Sequence, residues 1–379
     1  MSRHRIQPLT GSRAPLPTPL GGGHGPLPSA PKWSERAARS TAINVVALAA
    51  TVLFRTAAAE GPIAVACQTA QPKDINWTLA LQAERSEDYF RAADLMKPLV
   101  VSQVPAAQRE MARIYDLQQD HLDNSATRQT QRQIEDLRAL ALELRTEAAA
   151  AGDPQAMAAL EPYVLRHTQY PDWKVKAARL HASALACARQ GAEQGVAADQ
   201  HLLSQLLAAV DKETALQWLR QAALSGSAHA ELDLGAAYER GVMGDDAVPL
   251  LDPDATLAVA WYERAAAQDL VDAWVRLAKL YASGRGLPRD PDAASGWWRK
   301  AAVAGDYLAQ LRFADALATG DGVPKDTVEA VQWYGKVASL TTAAGAPYAV
   351  EAAAKRKQLL ATLQPSTNIT DAVLAAPGK

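Results

Sequence analysis

The fold is decided by the stretch Gly284–Asp306, GRGLPRDPDAASGWWRKAAVAGD, because the chain repeats nearly the same pattern at Gly320–Leu340 as GDGVPKDTVEAVQWYGKVASL. In both copies a glycine turn is followed by a proline, an aspartate and a tryptophan with small residues around it. Repetition at intervals of about 20–50 residues is typical of proteins built from stacked copies of one structural unit. We therefore interpret the two stretches as two units of an array and not as two halves of one active site.

A tryptophan marks each of four copies, and the intervals between them are 43, 36 and 36 residues. An aspartate stands seven residues before each tryptophan, where its side chain can accept hydrogen bonds from the free N–H groups of a first helical turn. The pattern predicts a helix that begins directly after each aspartate. The aspartates are Asp211, Asp254, Asp290 and Asp326, and the tryptophans are Trp218, Trp261, Trp297 and Trp333.

A second helix is predicted in each unit, because apolar residues recur at spacings of four after Ala230, Ala273 and Ala309 and a glycine turn follows. The interval of 43 residues places an insertion in the loop Val242–Pro253. One helix pair cannot bury its own apolar face, whereas stacked pairs can. The sequence therefore predicts an all-α solenoid in which the four tryptophans form the repeat core by filling the gaps between units.

Stretches such as DKETALQWLRQAALSGSAHAELDLGAAYERG at Asp211–Gly241 resemble the Sel1-like repeat family, which is related to the tetratricopeptide repeat. The resemblance implies a non-enzymatic scaffold that binds partner proteins, and one branch of the family consists of repeat lipoproteins of alginate-type exopolysaccharide export. We expect a disordered leader at 1–40, an export-signal-like segment at 41–59, a linker at 60–75, degenerate tetratricopeptide-like or Sel1-like helical repeats at 76–210, Sel1-like repeats at 211–340, and a capping helix with a disordered tail at 341–379.

The N-terminal region has the pattern of an export signal. Positive charge is followed by a 14-residue apolar run at Thr41–Phe54 and then by the small residues Ala57–Ala59, which predicts cleavage after Ala59. The run is shorter than the roughly 20 residues that a membrane-spanning helix needs. We therefore expect an exported protein of the periplasm or the outer-membrane surface; a cytoplasmic regulatory adaptor is the alternative if the segment is instead a buried helix.

The two cysteines allow two different outcomes. Ala64–Cys67 resembles the box before a lipidated cysteine, so lipidation of Cys67 is one expectation, although the apolar run ends well before the box at Phe54. A disulfide between Cys67 and Cys187 is compatible with an oxidising compartment. The separation of 120 residues gives no evidence for that pairing.

No catalytic, cofactor-binding or metal-binding motif is present in the sequence. The seven histidines include no HExxH pair, and the glycine pairs lack the context of a nucleotide-binding loop. Residues 1–40 carry a net charge of +5, so the remainder carries −7 and lacks the basic face that nucleic-acid binding requires. The sequence predicts no cofactor and no nucleic-acid partner. It predicts one or more protein partners. Contact with a membrane is expected only through a lipid anchor or the signal segment. A hydrolase encoded within 60–210 is the remaining alternative.

An aromatic residue directly follows three of the tryptophans. Adjacent helical residues point about 100° apart, so we expect these three side chains to form an exposed row that can contact a ligand. Packing against the neighbouring helix is the alternative. The row consists of Tyr262, Trp298 and Tyr334.

Overall fold

The computed structural model describes residue 67 and residues 74–85, 88–121, 128–166, 172–340 and 345–362. Within these ranges the chain forms fifteen α-helices and one two-stranded hairpin. No helix of the described part is long and apolar enough to cross a bilayer. The predicted leader, the export-signal-like segment and the cleavage site after Ala59 lie outside the described residues.

Seven helices precede the four tryptophan-marked copies, and eight helices form those copies and their C-terminal cover. The first seven are α1 (Ile75–Arg85), α2 (Tyr89–Val101), α3 (Pro105–His121), α4 (Arg128–Ala150), α5 (Pro154–Arg166), α6 (Trp173–Glu193) and α7 (Ala197–Leu207). The remainder are α8 (Lys212–Leu224), α9 (Ala228–Arg240), α10 (Ala255–Ala266), α11 (Val271–Ser283), α12 (Pro291–Val303), α13 (Tyr307–Thr319), α14 (Thr327–Ala338) and α15 (Ala346–Thr362).

The helices are stacked in chain order. Every extensive contact joins consecutive helices or helices two apart, and no larger layer or sheet organises the described chain. Contacts restricted to neighbouring units define a solenoid. The predicted all-α solenoid is therefore confirmed.

The aspartate before each tryptophan caps a helix, as predicted. Asp211 accepts from the backbone N–H of Thr214, and Asp254 accepts from two backbone N–H groups at 2.9 and 3.0 Å. Asp290 and Asp326 make the equivalent bond three residues into α12 and α14. A cap of this kind is worth about 1 kcal/mol, so the four aspartates fix where the first helix of each unit begins.

A side chain eight residues along the chain hydrogen-bonds the last alanine carbonyl of several first helices. Gln200 bonds the carbonyl oxygen of Ala192 at 3.3 Å, and Gln310 bonds that of Ala302 at 3.2 Å. The indole N–H of Trp274 donates to the carbonyl of Ala266 at 3.1 Å. Carbonyls at a helix C-terminus have no intrahelical partner, so these bonds satisfy them inside the core and connect the two helices of one unit.

The insertion between the first two copies forms a β-hairpin where the sequence pattern predicts a loop. Strand β1 (Val242–Met243) pairs antiparallel with β2 (Pro249–Leu251). Leu251 is buried against the apolar cluster of α8 and α9, whereas Met243 is exposed at the surface. The hairpin thus adds to the edge of one unit without interrupting the stack of helices.

The C-terminal helix α15 covers the last unit. Lys355 donates to both carboxylate oxygens of Asp315 at 2.7 and 2.8 Å, and Tyr334 donates to the same carboxylate at 2.6 Å. Gly335 leaves space on α14 for Arg356, whose Nε would lie 3.3 Å from a Cβ at that glycine. A polar cover of this kind shields the apolar end of a solenoid from water.

Gly235 on α9 allows the aromatic ring of Tyr262 on α10 to lie against the helix backbone. A Cβ at position 235 would lie 2.6 Å from Cδ1 of Tyr262, which is closer than van der Waals contact permits. The close approach of α9 and α10 therefore depends on the missing side chain.

We expect Gly235→Ala to lower the free energy of unfolding by about 1–3 kcal/mol, because the added methyl group overpacks the contact with Tyr262. Gly296→Ala is the matched control, since Gly296 also lies within a helix but has nothing within 4 Å of its would-be Cβ. The control should leave stability unchanged or raise it by about 0.5–1 kcal/mol. Urea unfolding of both variants checks this, and equal effects would contradict the proposed packing.

Candidate interaction surface

The aromatic row predicted to be exposed is buried, so that prediction is wrong. Tyr262, Trp298 and Tyr334 are 0%, 7% and 3% exposed. Each lies in a core cluster shared with the preceding helix, and for Tyr262 the missing side chain of Gly235 makes room for the ring. The hydroxyl of Tyr262 donates a hydrogen bond to Glu239 at 2.8 Å. The pKa of Tyr262 is raised mainly by burial and further by the neighbouring carboxylate of Glu239. These three residues contribute to the core and offer no ligand surface.

The tryptophans that mark the repeat lie at the edges of the core instead of its centre. Trp218, Trp261, Trp297 and Trp333 are all partly buried and pack against apolar clusters that include the preceding unit. Trp333, for example, meets Phe313 of α13 edge-to-face with ring centroids 5.8 Å apart. The four tryptophans lie between units, as predicted. The aromatic residue that directly follows Trp261, Trp297 and Trp333 is buried more deeply than the tryptophan itself.

A cation covers the ring of three of these tryptophans. Arg264 lies 4.7 Å from the ring centroid of Trp261, and Lys300 lies 4.2 Å from that of Trp297. Lys336 lies 5.4 Å from the ring of Trp333. Since these three indoles pack on apolar residues and a cation lies over each ring, they do not form an open platform for stacking bases or sugars.

Charged and titratable side chains from four helices lie on another surface, which we call the charged face: Arg113, His201, His229, Asp233 and Asp272. The rings of His201 on α7 and His229 on α9 are stacked with centroids 6.5 Å apart. Nε2 of His201 lies 2.8 Å from Oδ2 of Asp233. The charged face therefore joins α3, α7, α9 and α11, which are the second helices of their pairs.

The charges of the other four residues of the charged face act on His229. Burial lowers the pKa of His229, and the nearby His201 and Arg113 lower it further, while Asp233 and Asp272 oppose this. Burial alone would raise the pKa of Asp233, but the hydrogen bond and charge of His201 hold it below its usual range. A surface with interspersed charges of both signs is suited to a polar protein partner of complementary charge.

The described residues contain no group of three or more His, Cys, Asp and Glu side chains arranged to hold a metal ion. Two carboxylates that lie close to a second aspartate in the sequence, Asp290 and Asp245, have structural partners: Asp290 caps α12, and Asp245 pairs with Lys212 at 2.7 Å. Helix capping and surface ion pairing therefore account for these side chains.

Cys67 forms a disulfide with Cys187 of α6, with the Cα atoms 5.2 Å apart. The prediction of a lipidated Cys67 is therefore wrong, because the sulfur atom that would carry the lipid is bonded to another cysteine. The bond joins positions 120 residues apart, and Cys187 is 4% exposed. The long separation along the chain explains why the sequence alone gives no evidence for this pair.

The Sel1 repeat family model matches residues 203–227, 228–270, 272–306 and 308–341. A solved Sel1 repeat protein from Oxalobacter formigenes is 32% identical over 35% of this chain and 97% of its own, with a TM-score of 0.30. A protective antigen of uropathogenic Escherichia coli with an SLR fold is 17% identical over 86% of this chain and 92% of its own (TM-score 0.28). An immunity protein of Pseudomonas aeruginosa is 16% identical over 62% and 84% (TM-score 0.39). The comparison with curated proteins gives no match.

The stacked helix pairs and the repeated family matches define an α/α repeat protein. The chain belongs to the Sel1 repeat family, with four consecutive repeats between 203 and 341. Sel1 repeats mediate protein–protein interaction. We therefore treat the charged face, and not a catalytic pocket, as the candidate functional site.

We expect Trp298→Ala to lower the free energy of unfolding by about 3–5 kcal/mol, because it removes a fully packed indole. Trp297→Ala should cost about half as much, since its indole is partly exposed at the edge of the core. Chemical unfolding of the two variants provides the measurement, with the neighbouring positions serving as mutual controls. A larger loss of stability in Trp297→Ala would contradict the deeper burial of Trp298 and would agree with the sequence prediction that Trp297 is the core residue.

Proposed function

We propose that this protein is an exported scaffold that binds a partner protein in the bacterial cell envelope through its charged face. The disulfide between Cys67 and Cys187 is the observation that carries the proposal. Structural disulfides persist in oxidising compartments such as the periplasm and are rare in the cytosol. The export-signal-like segment at 41–59 supports the same compartment.

The disulfide is compatible with the predicted cleavage site. Cleavage after Ala59 would leave Cys67 as the eighth residue of the mature chain. The bond would then hold the start of that chain against α6 and close a loop that includes the first five helices and most of α6. Closing a loop of this size is expected to stabilise the folded state by up to about 5 kcal/mol.

A narrower proposal places the protein in exopolysaccharide export. Family resemblance and the export signal support this version, whereas the lipid anchor typical of that branch is missing at Cys67 because its sulfur is in the disulfide. The partner would then be a component of the secretion apparatus. Loss of polysaccharide secretion on deletion of the chain, restored by the wild-type protein, is the expected result.

Fractionation of cells that produce the natural full-length chain with a C-terminal tag tests the compartment. We expect the protein in the envelope or periplasmic fraction, with both thiols unreactive toward a maleimide reagent until a reductant is added. Cys187→Ser is the control, since it leaves Cys67 free to react. Recovery from the cytosol with two reactive thiols would contradict export and favour the cytoplasmic adaptor.

Charge reversal tests the binding surface. We expect the double variant Asp233→Arg and Asp272→Arg to weaken the complex with the cross-linked and identified partner at least about tenfold, because it reverses two carboxylates of the charged face. Glu263→Arg on the exposed side of α10 is the matched control. Titration calorimetry with the purified partner supplies the dissociation constants, and equal weakening by both changes would place the contact elsewhere.

A further inference from the structure

Asp199 on α7 is a buried carboxylate without a complete set of hydrogen-bond partners. The residue is 2% exposed, and its Oδ2 has no hydrogen-bond partner among the residues that the structure describes. The same oxygen would lie 2.0 Å from a Cβ at Gly191, so the carboxylate is in direct contact with the backbone of α6. An ionised carboxylate in this position loses its hydration without regaining a hydrogen bond at Oδ2, which is costly.

A second buried carboxylate lies nearby. Asp153, 1% exposed, caps α5 through the backbone N–H of Ala156 at 2.8 Å, and its other oxygen accepts from Arg109 of α3. The charges of Asp153 and Arg109 both act on Asp199. The guanidinium whose charge acts on Asp199 is thus already paired with Asp153. With both carboxylates ionised the three side chains carry a net charge of −1, and a proton on one of the two carboxylates neutralises it.

The other elements around Asp199 do not supply a compensating charge. The facing residue of α6 is Gly191, and no charged group of the described α8 acts on Asp199. His201 lies on the same helix as Asp199 but bonds Asp233. The excess negative charge of the Asp199, Asp153 and Arg109 cluster is therefore neutralised by a proton on one of the carboxylates.

We propose that Asp199 is a proton-binding switch at the joint between the N-terminal helices and the Sel1 repeats, and that loss of its proton loosens the packing of α7 on α5 and α6. The first Sel1 match begins at residue 203, within α7, so this helix connects the two parts of the array. The switch is built from the side chains of Asp199, Asp153 and Arg109.

The direction of the pH effect follows from the two states of the carboxyl group. Burial, and then the charge of Asp153, raise the pKa of Asp199 to about 7 in the folded chain, from an ordinary value of 3.8. The folded state therefore binds this proton more tightly than the unfolded state. The associated stability is fully present below pH 3.8, declines as the pH rises, and is lost above about pH 7.

Hydrogen exchange measured by mass spectrometry on the full mature chain tests the proposal. After correction for intrinsic exchange rates, we expect amides of α7 to open roughly ten- to a hundredfold more often at about pH 8 than at about pH 5. Asp199→Asn should remove this difference, because the amide is neutral at both pH values. Glu231→Gln is the matched control: Glu231 is also 2% exposed, but Arg264 and Gln268 bond its two oxygens, so the difference should persist.

Two results would overturn the switch. One is exchange in wild-type α7 that does not change between the two pH values, and the other is an unchanged pH difference in Asp199→Asn. If that variant does not fold, the wild-type chain still decides, because carbon-13 NMR of its aspartate carboxyl groups should show one that titrates near pH 7. Titration of every aspartate below about pH 5 would refute the proposal.

Discussion

The stacking of the last three Sel1 units depends on the contact between a buried aromatic residue on the first helix of each unit and the second helix of the unit before it. The clearest example is Tyr262, whose ring lies against α9 where Gly235 has no side chain. Such a contact buries a large apolar surface only when two units are stacked, so no helix pair is stable by itself. The spacing of the units, the small residues around each aromatic side chain and the need for a covering helix all follow from this constraint.

Polar groups at the turns adapt to the same close packing. A first helix that ends inside the core leaves carbonyl groups without partners, and side chains such as Gln200 and Gln310 satisfy them from the start of the next helix. This explains why buried polar residues occur at the N-terminal turns of second helices. Asp199 differs, because its carboxylate contacts the backbone of α6 and retains an oxygen without a partner. A proton can balance this site, which makes the joint between the two parts of the array sensitive to pH.

The arrangement of aromatic and charged side chains on the surface favours binding of a partner protein over catalysis as the proposed role. The indoles are covered by packing and cations, while the histidines and carboxylates of the charged face come from helices far apart in sequence. A solenoid is suited to this arrangement because side chains from successive units can contact one extended partner. The disulfide adds a constraint of a different kind, since it connects the start of the described chain to α6 and supports export to an oxidising compartment.

Local backbone chemistry made much of this fold predictable from the sequence. The aspartate caps, the glycine turns and the period of the tryptophans determined where helices begin and end and that like units are stacked, because each signal acts within a few residues. The tertiary structure alone decided which of two adjacent aromatic residues is buried, since Trp297 and Trp298 differ only in the direction they point from the same helix. It also decided that Cys67 pairs with Cys187 and that Asp199 lies near Asp153 and Arg109. Those contacts join residues that are distant in sequence, and their proximity depends on how successive helix pairs pack.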